Sequence, residues 1–356
     1  MDIFDDDSKR NDVEDCYEDT ALLDNPSLDE PKFKNIDEDT SGNIHKDYTV
    51  KDGKAAQKKP FLNFLTGVGR KVRDTESIHK DIVHIRKKRV AFWSPVPGSG
   101  SKETAANTAA LLAKYGEGDV CVIDMDLYNP SIDYLLNVEK SVAKNSSYLN
   151  ENTVYSSLHN LLVDQKEGRY AGRDVFSYLI QHGTYKNLFA ATGLYNYDSS
   201  IEVKIDVLVD FINRCYNEFD YCLLICSNCF NYDKLSEIFK SSDIIFAVME
   251  SNAYQIERVG YHLNCVNNLY YLEDSKIKII VNKFETERNI EIRQIYRQLG
   301  YKVAAAISYN PLHNQCRSTK KLFMDTCGTK EIKEYIAILD EIEYKPNKKA
   351  QRQFYR

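Results

Sequence analysis

No apolar run in this chain of 356 residues approaches the roughly 20 residues that a bilayer-spanning helix needs. The opening stretch, Met1-Asp2-Ile3-Phe4-Asp5-Asp6-Asp7, has no apolar h-region and is not expected to be a secretory signal. The nine cysteines are scattered and odd in number, so they make a poor disulfide framework and suit a reducing cytosol. Secreted, membrane-spanning and collagen-like classes are excluded, and a cytoplasmic location is expected.

A strong net charge is missing as well. The sequence has 47 Lys+Arg against 53 Asp+Glu, a formal charge of -6. That balance conceals a split. Residues 1–50 carry 16 acidic and 5 basic side chains, and residues 51–90 carry 4 acidic and 12 basic ones. From residue 91 onward the counts are 33 and 30, which is nearly neutral. Opposed charge blocks of this kind lie outside a fold more often than inside it.

Four parts follow from this reading. Residues 1–60 hold too few apolar side chains to offset ordering entropy and read as a disordered acidic tail. Residues 61–87 read as a basic amphipathic linker. Within it Phe61, Leu62, Phe64, Leu65, Val68 and Val72 have mixed helical spacing, and 61–73 could lie on a membrane or simply pack as a linker. Residues 88–345 form the folded body, large enough for a sizeable core. Residues 346–356 read as a basic C-terminal tail.

The body alternates short apolar runs with amphipathic stretches. The runs are Arg89–Ser94, Val120–Asp124, Asn187–Thr192, Tyr221–Cys226, Asp243–Met249, Lys276–Val281 and Val303–Ile307. Helical spacing appears at 105–115, 201–216, 232–240, 252–271 and 285–298. This pattern predicts an α/β fold, a mostly parallel sheet with helices on both faces. Residues 141–185 read as an insertion with helical patterns at Val154–Val163 and Asp174–His182.

A strand, a Gly-containing loop and a helix form a phosphate-binding layout, because loop and helix N–H groups can cradle an anion. Here the loop is Ser94-Pro95-Val96-Pro97-Gly98-Ser99-Gly100-Ser101-Lys102-Glu103-Thr104, leading into Ala105-Ala106-Asn107. It lacks the standard G-x-x-x-x-G-K-[ST]. It resembles the deviant Walker A loop of the ParA/MinD family of P-loop ATPases, which reads roughly S-G-K-G-G-V-G-K-T-T before T-A-A-N. On that register Gly98 and Gly100 match. Val96 stands at the signature Lys, Ser101 at the Walker Lys, and Lys102 at the Thr that would hold Mg²⁺. A Ser cannot neutralise phosphate charge, and a Lys repels the cation.

Further segments carry the same resemblance. Val122-Ile123-Asp124-Met125-Asp126-Leu127-Tyr128-Asn129-Pro130-Ser131 is similar to the family's V-D-x-D-L-R-N-P-S switch segment. Phe219-Asp220-Tyr221-Cys222-Leu223-Leu224-Ile225 resembles its Walker B strand, with Ile225 where the family has Asp. Ile280-Val281-Asn282-Lys283 resembles its V-V-N-K strand, and Leu299–Asn310 its last strand. The likeness runs from about residue 89 to 325. Within it the W-S-P-x-P-G-S-G loop and the D-x-D-L-x-N-P-S segment resemble the CpaE/TadZ branch.

The resemblance implies a three-layer P-loop fold and candidate residues. Gly98, Ser99, Gly100, Ser101, Lys102, Glu103, Thr104 and Asn282 would bind ATP, with Asn282 reading the base. Asp124 and Asp126 would be the catalytic carboxylates, and Asp124 would hold Mg²⁺. The alternative for those two acids is solvation or capping of the next helix. Cys222, Cys226 and Cys229 read as buried core cysteines ahead of a zinc site.

The functional expectation is a localisation or assembly scaffold for a secretion, pilus or conjugation machine, whether or not it responds to nucleotide. The alternative is an active partition or positioning ATPase. A bacterial tyrosine kinase, which shares D-x-D-L-R-x-P, ranks last, since the chain has no Tyr cluster at its end. Protein partners are expected; a homodimer and membrane contact through 61–73 stay open beside the plain linker reading. Nucleic-acid binding has no support in the body's charge.

Overall fold

The computed structural model describes residues 86–126, 129–138, 157–193, 204–226, 232–287 and 290–355. The acidic segment 1–60 lies outside them, as does the basic segment 61–87 apart from Arg86 and Lys87.

Eight strands form one sheet: β1 (Lys88–Trp93), β2 (Val120–Asp124), β3 (Ile180–Gln181), β4 (Leu188–Ala191), β5 (Tyr221–Ile225), β6 (Ile244–Glu250), β7 (Ile277–Phe284) and β8 (Lys302–Ser308). Their spatial order is β3-β4-β2-β5-β1-β6-β7-β8. All pairings are parallel except that of β3 with β4. The continuous apolar runs make sense here, because a strand with helices on both faces has no polar side. In β1, Val90 and Phe92 enter one core layer while Ala91 and Trp93 enter the other.

Helices cover both faces. The first layer holds Ser101–Tyr115, Leu312–Thr319, Thr329–Ile342 and Lys348–Phe354. The second holds Ser157–Lys166, Ile205–Glu218, Tyr232–Ser241, Ala253–Tyr270 and Ile292–Leu299. In the helix Ser101–Tyr115, Ala105, Ala106, Ala109 and Ala110 face the sheet and are fully or almost fully buried. Small side chains at those positions let the backbone approach the strands. Among the described residues, no helix is long and apolar enough to cross a membrane.

Two sequence expectations need correction. Residues 346–356 are not a tail as far as Tyr355. Asn347 caps the helix Lys348–Phe354 through Lys349 N–H and Ala350 N–H, both at 3.0 Å. Ala350 is fully buried, and Phe354 packs edge-on against Tyr115 at 5.1 Å between centroids. The basic residues masked this, since the apolar positions that make the contact are few and scattered among them. Likewise Asp174–His182 is not an α-helix. Asp174 caps a short 3₁₀ turn, Val175–Tyr178, and Ile180 then pairs with Ala190 as the antiparallel edge strand.

The topology places the loop after β1 centrally. The chain leaves β1 for β2 on one side, and after β5 it crosses to β6 on the other. In open α/β sheets the crevice at such a reversal, beyond the strands' C-terminal ends, is where ligands sit.

Candidate phosphate-binding site

The loop Ser94–Gly100 joins β1 to the helix Ser101–Tyr115. Gly98 and Gly100 both have positive φ, +82° and +90°. Gly100 is the helix N-cap and brings no capping side chain. The first-turn N–H groups of a helix have no acceptor within it, so this end suits an anion. A Cβ on Gly98 would meet nothing within 4 Å, which leaves open space over the loop.

The loop is braced from below. Ser94 Oγ accepts from Val96 N–H at 3.2 Å and lies 3.0 Å from Ser99 Oγ. Ser99 Oγ reaches Val96 O at 2.7 Å and Gln255 Oε1 at 3.0 Å. Asn282 Nδ2 donates to Ser99 O at 2.9 Å, and Lys283 Nζ donates to Gly98 O at 2.8 Å. The ammonium of Lys283 also pairs with Glu250 Oε1 at 2.5 Å.

The structure therefore sorts the expected nucleotide residues. Gly98, Gly100, Ser101 and Lys102 stand at the loop surface or are partly exposed. Four others spend their side chains on the protein. The Ser99 hydroxyl turns inward, and Thr104 Oγ1 donates back to Gly100 O at 2.9 Å. Glu103 turns to His313 Nδ1, 2.7 Å away, and to Arg317. Its burial raises the carboxyl pKa, but these two partners outweigh burial and hold it below the usual range. Asn282, expected to read a base, instead packs its amide against Gly100 and the loop backbone.

Asp124 ends β2 and is fully buried. Its Oδ1 accepts from Asp126 N–H at 3.1 Å, and its Oδ2 accepts from Ser131 N–H at 2.8 Å and Ile132 N–H at 3.1 Å. Burial pushes its carboxyl up to about 6, against the lowering effect of those N–H groups and of the Lys102 charge. The helix-capping alternative describes Asp124 as it stands: it holds the turn into the short helix Ile132–Leu135. Asp126 accepts from Asn129 N–H at 3.2 Å, and its Oδ2 lies 2.6 Å from Lys102 Nζ. Lys102 also donates to Asn129 O.

For the Mg²⁺ implied by the resemblance, these residues do not fit. Asp124, the expected metal ligand, already accepts three backbone N–H groups, one on Oδ1 and two on Oδ2. The side chain facing it on β5, Ile225, is apolar and fully buried. The remaining carboxylate, Asp126, is held by an ammonium. Among the described residues, no group of three or more His, Cys, Asp or Glu could hold a metal ion. Burial pushes the Cys226 thiol well up, and Cys229 lies outside the described residues.

Sequence reasoning missed Gln255, Asn129 and the His313–Arg317 pair. No spacing rule links Gln255, His313 and Arg317, more than 150 residues from the loop, to it, while Asn129 was legible only as a member of the N-P-S segment after β2. Lys283 was legible only as part of the N-K dipeptide at the C-terminal end of β7.

No family model matches the chain. A curated relative, the uncharacterized ATP-binding protein MJ0924 of Methanocaldococcus jannaschii, is 24% identical over 73% of this chain and 89% of its own length. Among solved structures, a ParA family ATPase from Chlorobium tepidum aligns with a TM-score of 0.57 and 15% identity, over 73% of this chain and 99% of that one. The septum site-determining protein MinD of Pyrococcus horikoshii, complexed with Mg-ADP, gives 0.57 and 15%, over 75% and 98%. The MinC:MinD cell division complex of Aquifex aeolicus gives 0.57 and 14%, over 72% and 95%. The fold of this chain is that of the ParA and MinD ATPases, the three-layer α/β arrangement expected from the sequence.

Proposed function

We propose that the chain is a ParA/MinD-like nucleotide-responsive positioning protein with degenerate catalytic motifs. It serves as a localisation or assembly scaffold of the CpaE/TadZ type for a secretion, pilus or conjugation machine. One observation carries the nucleotide part. The glycine loop keeps its left-handed turns at Gly98 and Gly100, and it opens an uncapped helix beside the Asp126–Asn129 hydrogen bond. A relative named as ATP-binding and a neighbour complexed with Mg-ADP support a nucleotide ligand.

The scaffold part rests on what the site lacks. Phosphoryl transfer depends almost wholly on placed charge. Ser101 and Ile225 supply none, and the Asp124 carboxylate is committed to backbone N–H groups. Calorimetric titration of the full chain with ATP and Mg²⁺ tests this reading. Binding with turnover far below about 1 s⁻¹ is expected. Submicromolar binding with brisk turnover overturns the scaffold.

The second reading, an active partition ATPase, draws on the closeness of Lys102 and Asp126. It predicts that Lys102→Ala abolishes turnover. The proposal includes a homodimer and membrane contact through 61–73, which vesicle co-sedimentation with and without that segment decides.

A further inference from the structure

The Lys102 ammonium sits where a cation would have to sit. It lies between the N-terminal turn of the helix Ser101–Tyr115 and the carboxylate of Asp126, 2.6 Å away. A phosphate at the loop and a carboxylate beyond it repel each other, so something positive must stand between them. Elsewhere that role goes to a divalent ion. Here a lysine side chain fills it, and the carboxylates that might recruit a metal are already occupied.

The ammonium also ties elements together. A Lys side chain has three N–H donors. Two of them are engaged, by Asp126 Oδ2 and by Asn129 O. The group's three-donor geometry lets it also turn an N–H to an anion approaching from the loop. Asp126 and Asn129 are themselves joined, Asn129 N–H donating to Asp126 Oδ1. The next residues, Ser131 and Ile132, hang from Asp124. Lys102 is therefore the bolt between the loop helix and the two residues Asp126 and Asn129 that follow β2. Beneath residues 129–132 lies Gly193, where a Cβ would come within 2.5 Å of the Pro130 side chain.

We propose that Lys102 is a tethered cation: it bolts Asp126 and residues 129–132 to the loop helix, and it replaces the divalent ion when the site takes a phosphate-bearing ligand. The ammonium then bridges the ligand's phosphate and the Asp126 carboxylate, so ligand binding keeps Asp126 and Asn129 fastened. The ligand half rests on the nucleotide reading above, and its chemical class is a nucleoside di- or triphosphate bound without metal. The bolt itself rests on the ion pair alone.

Two measurements on the full chain decide it. In the first, binding of a fluorescent ADP is compared in EDTA and in Mg²⁺. Wild type should change by less than about threefold, whereas Lys102→Thr should bind about tenfold more weakly in EDTA and recover in Mg²⁺. A wild-type affinity that tightens about tenfold with Mg²⁺ overturns the inference. The second measurement is hydrogen exchange without ligand. Lys102→Ala should speed exchange at 129–132 by about tenfold and leave 105–115 unchanged. Unchanged protection at 129–132 overturns the bolt. If ADP binds in neither buffer, the nucleotide reading falls while exchange still decides the inference.

Discussion

Lys102 Nζ lies 2.6 Å from Asp126 Oδ2, and the two side chains are only 20% and 11% exposed. A pair so shielded is screened less than a surface ion pair, and losing one partner strands the other. A double-mutant cycle with Lys102→Ala and Asp126→Ala should give a coupling energy of about 1–3 kcal/mol in urea unfolding. A value near zero would mean that the pair carries no stability.

Gly100 and Gly98 should respond differently to the same change. Both have positive φ, so Ala at either site costs about 1–2 kcal/mol of backbone strain. At Gly100 the new Cβ would also come within 2.1 Å of Asn282 Nδ2. Gly100→Ala should therefore displace Asn282 from Ser99 O and cost at least about 1 kcal/mol more than Gly98→Ala. Denaturant midpoints of the two variants check the order.

Asp124 sets a pH dependence whose sign is unusual for a carboxylate. Its folded pKa, about 6, lies above the unfolded value of 3.8. Between those values the folded state binds the extra proton, so this group's contribution to stability falls as pH rises and levels off above about 6. The wild-type chain should gain about 1–2 kcal/mol from this residue on going from pH 7 to pH 5. Asp124→Asn should remove that gain. The amide cannot accept from all three N–H groups, so the variant should also be less stable overall. Urea unfolding at both pH values for both proteins provides the comparison.

Asn347 is a cap with two further anchors. Its Oδ1 caps the helix Lys348–Phe354, and its Nδ2 donates to Lys114 O at 3.1 Å. Its own N–H reaches Tyr115 O at 2.8 Å. Asn347→Ala should cost about 1–2 kcal/mol and expose that helix to proteolysis first. Limited proteolysis with mass spectrometry would show whether cleavage begins there.

Much of the fold was readable because its strands are buried on both faces. Runs such as Val120–Asp124 and Tyr221–Ile225 carry no polar alternation, and only a covered parallel sheet asks for that. Helix boundaries such as 253–270 lay close to the expected 252–271 because apolar spacing marks them. The helix Lys348–Phe354 was not readable, since its burial depends on Ala350 and Phe354 meeting a surface far away in sequence.

The candidate site divides in the same way. The sequence by itself carried the expectation of missing charges: on the register of the resembled pattern, Ser101 and Ile225 stand at its Lys and Asp. It also determined the opposed charge blocks, with their few apolar residues. Only the tertiary structure decided what the remaining groups do. Asp124 binds backbone, Asn282 supports Gly100, and Lys102 meets Asp126 across 24 positions of chain. The physical reason is that hydrogen bonds and ion pairs form between atoms a few ångströms apart. Which atoms come that close depends on strand order and turn geometry, and no local pattern records either.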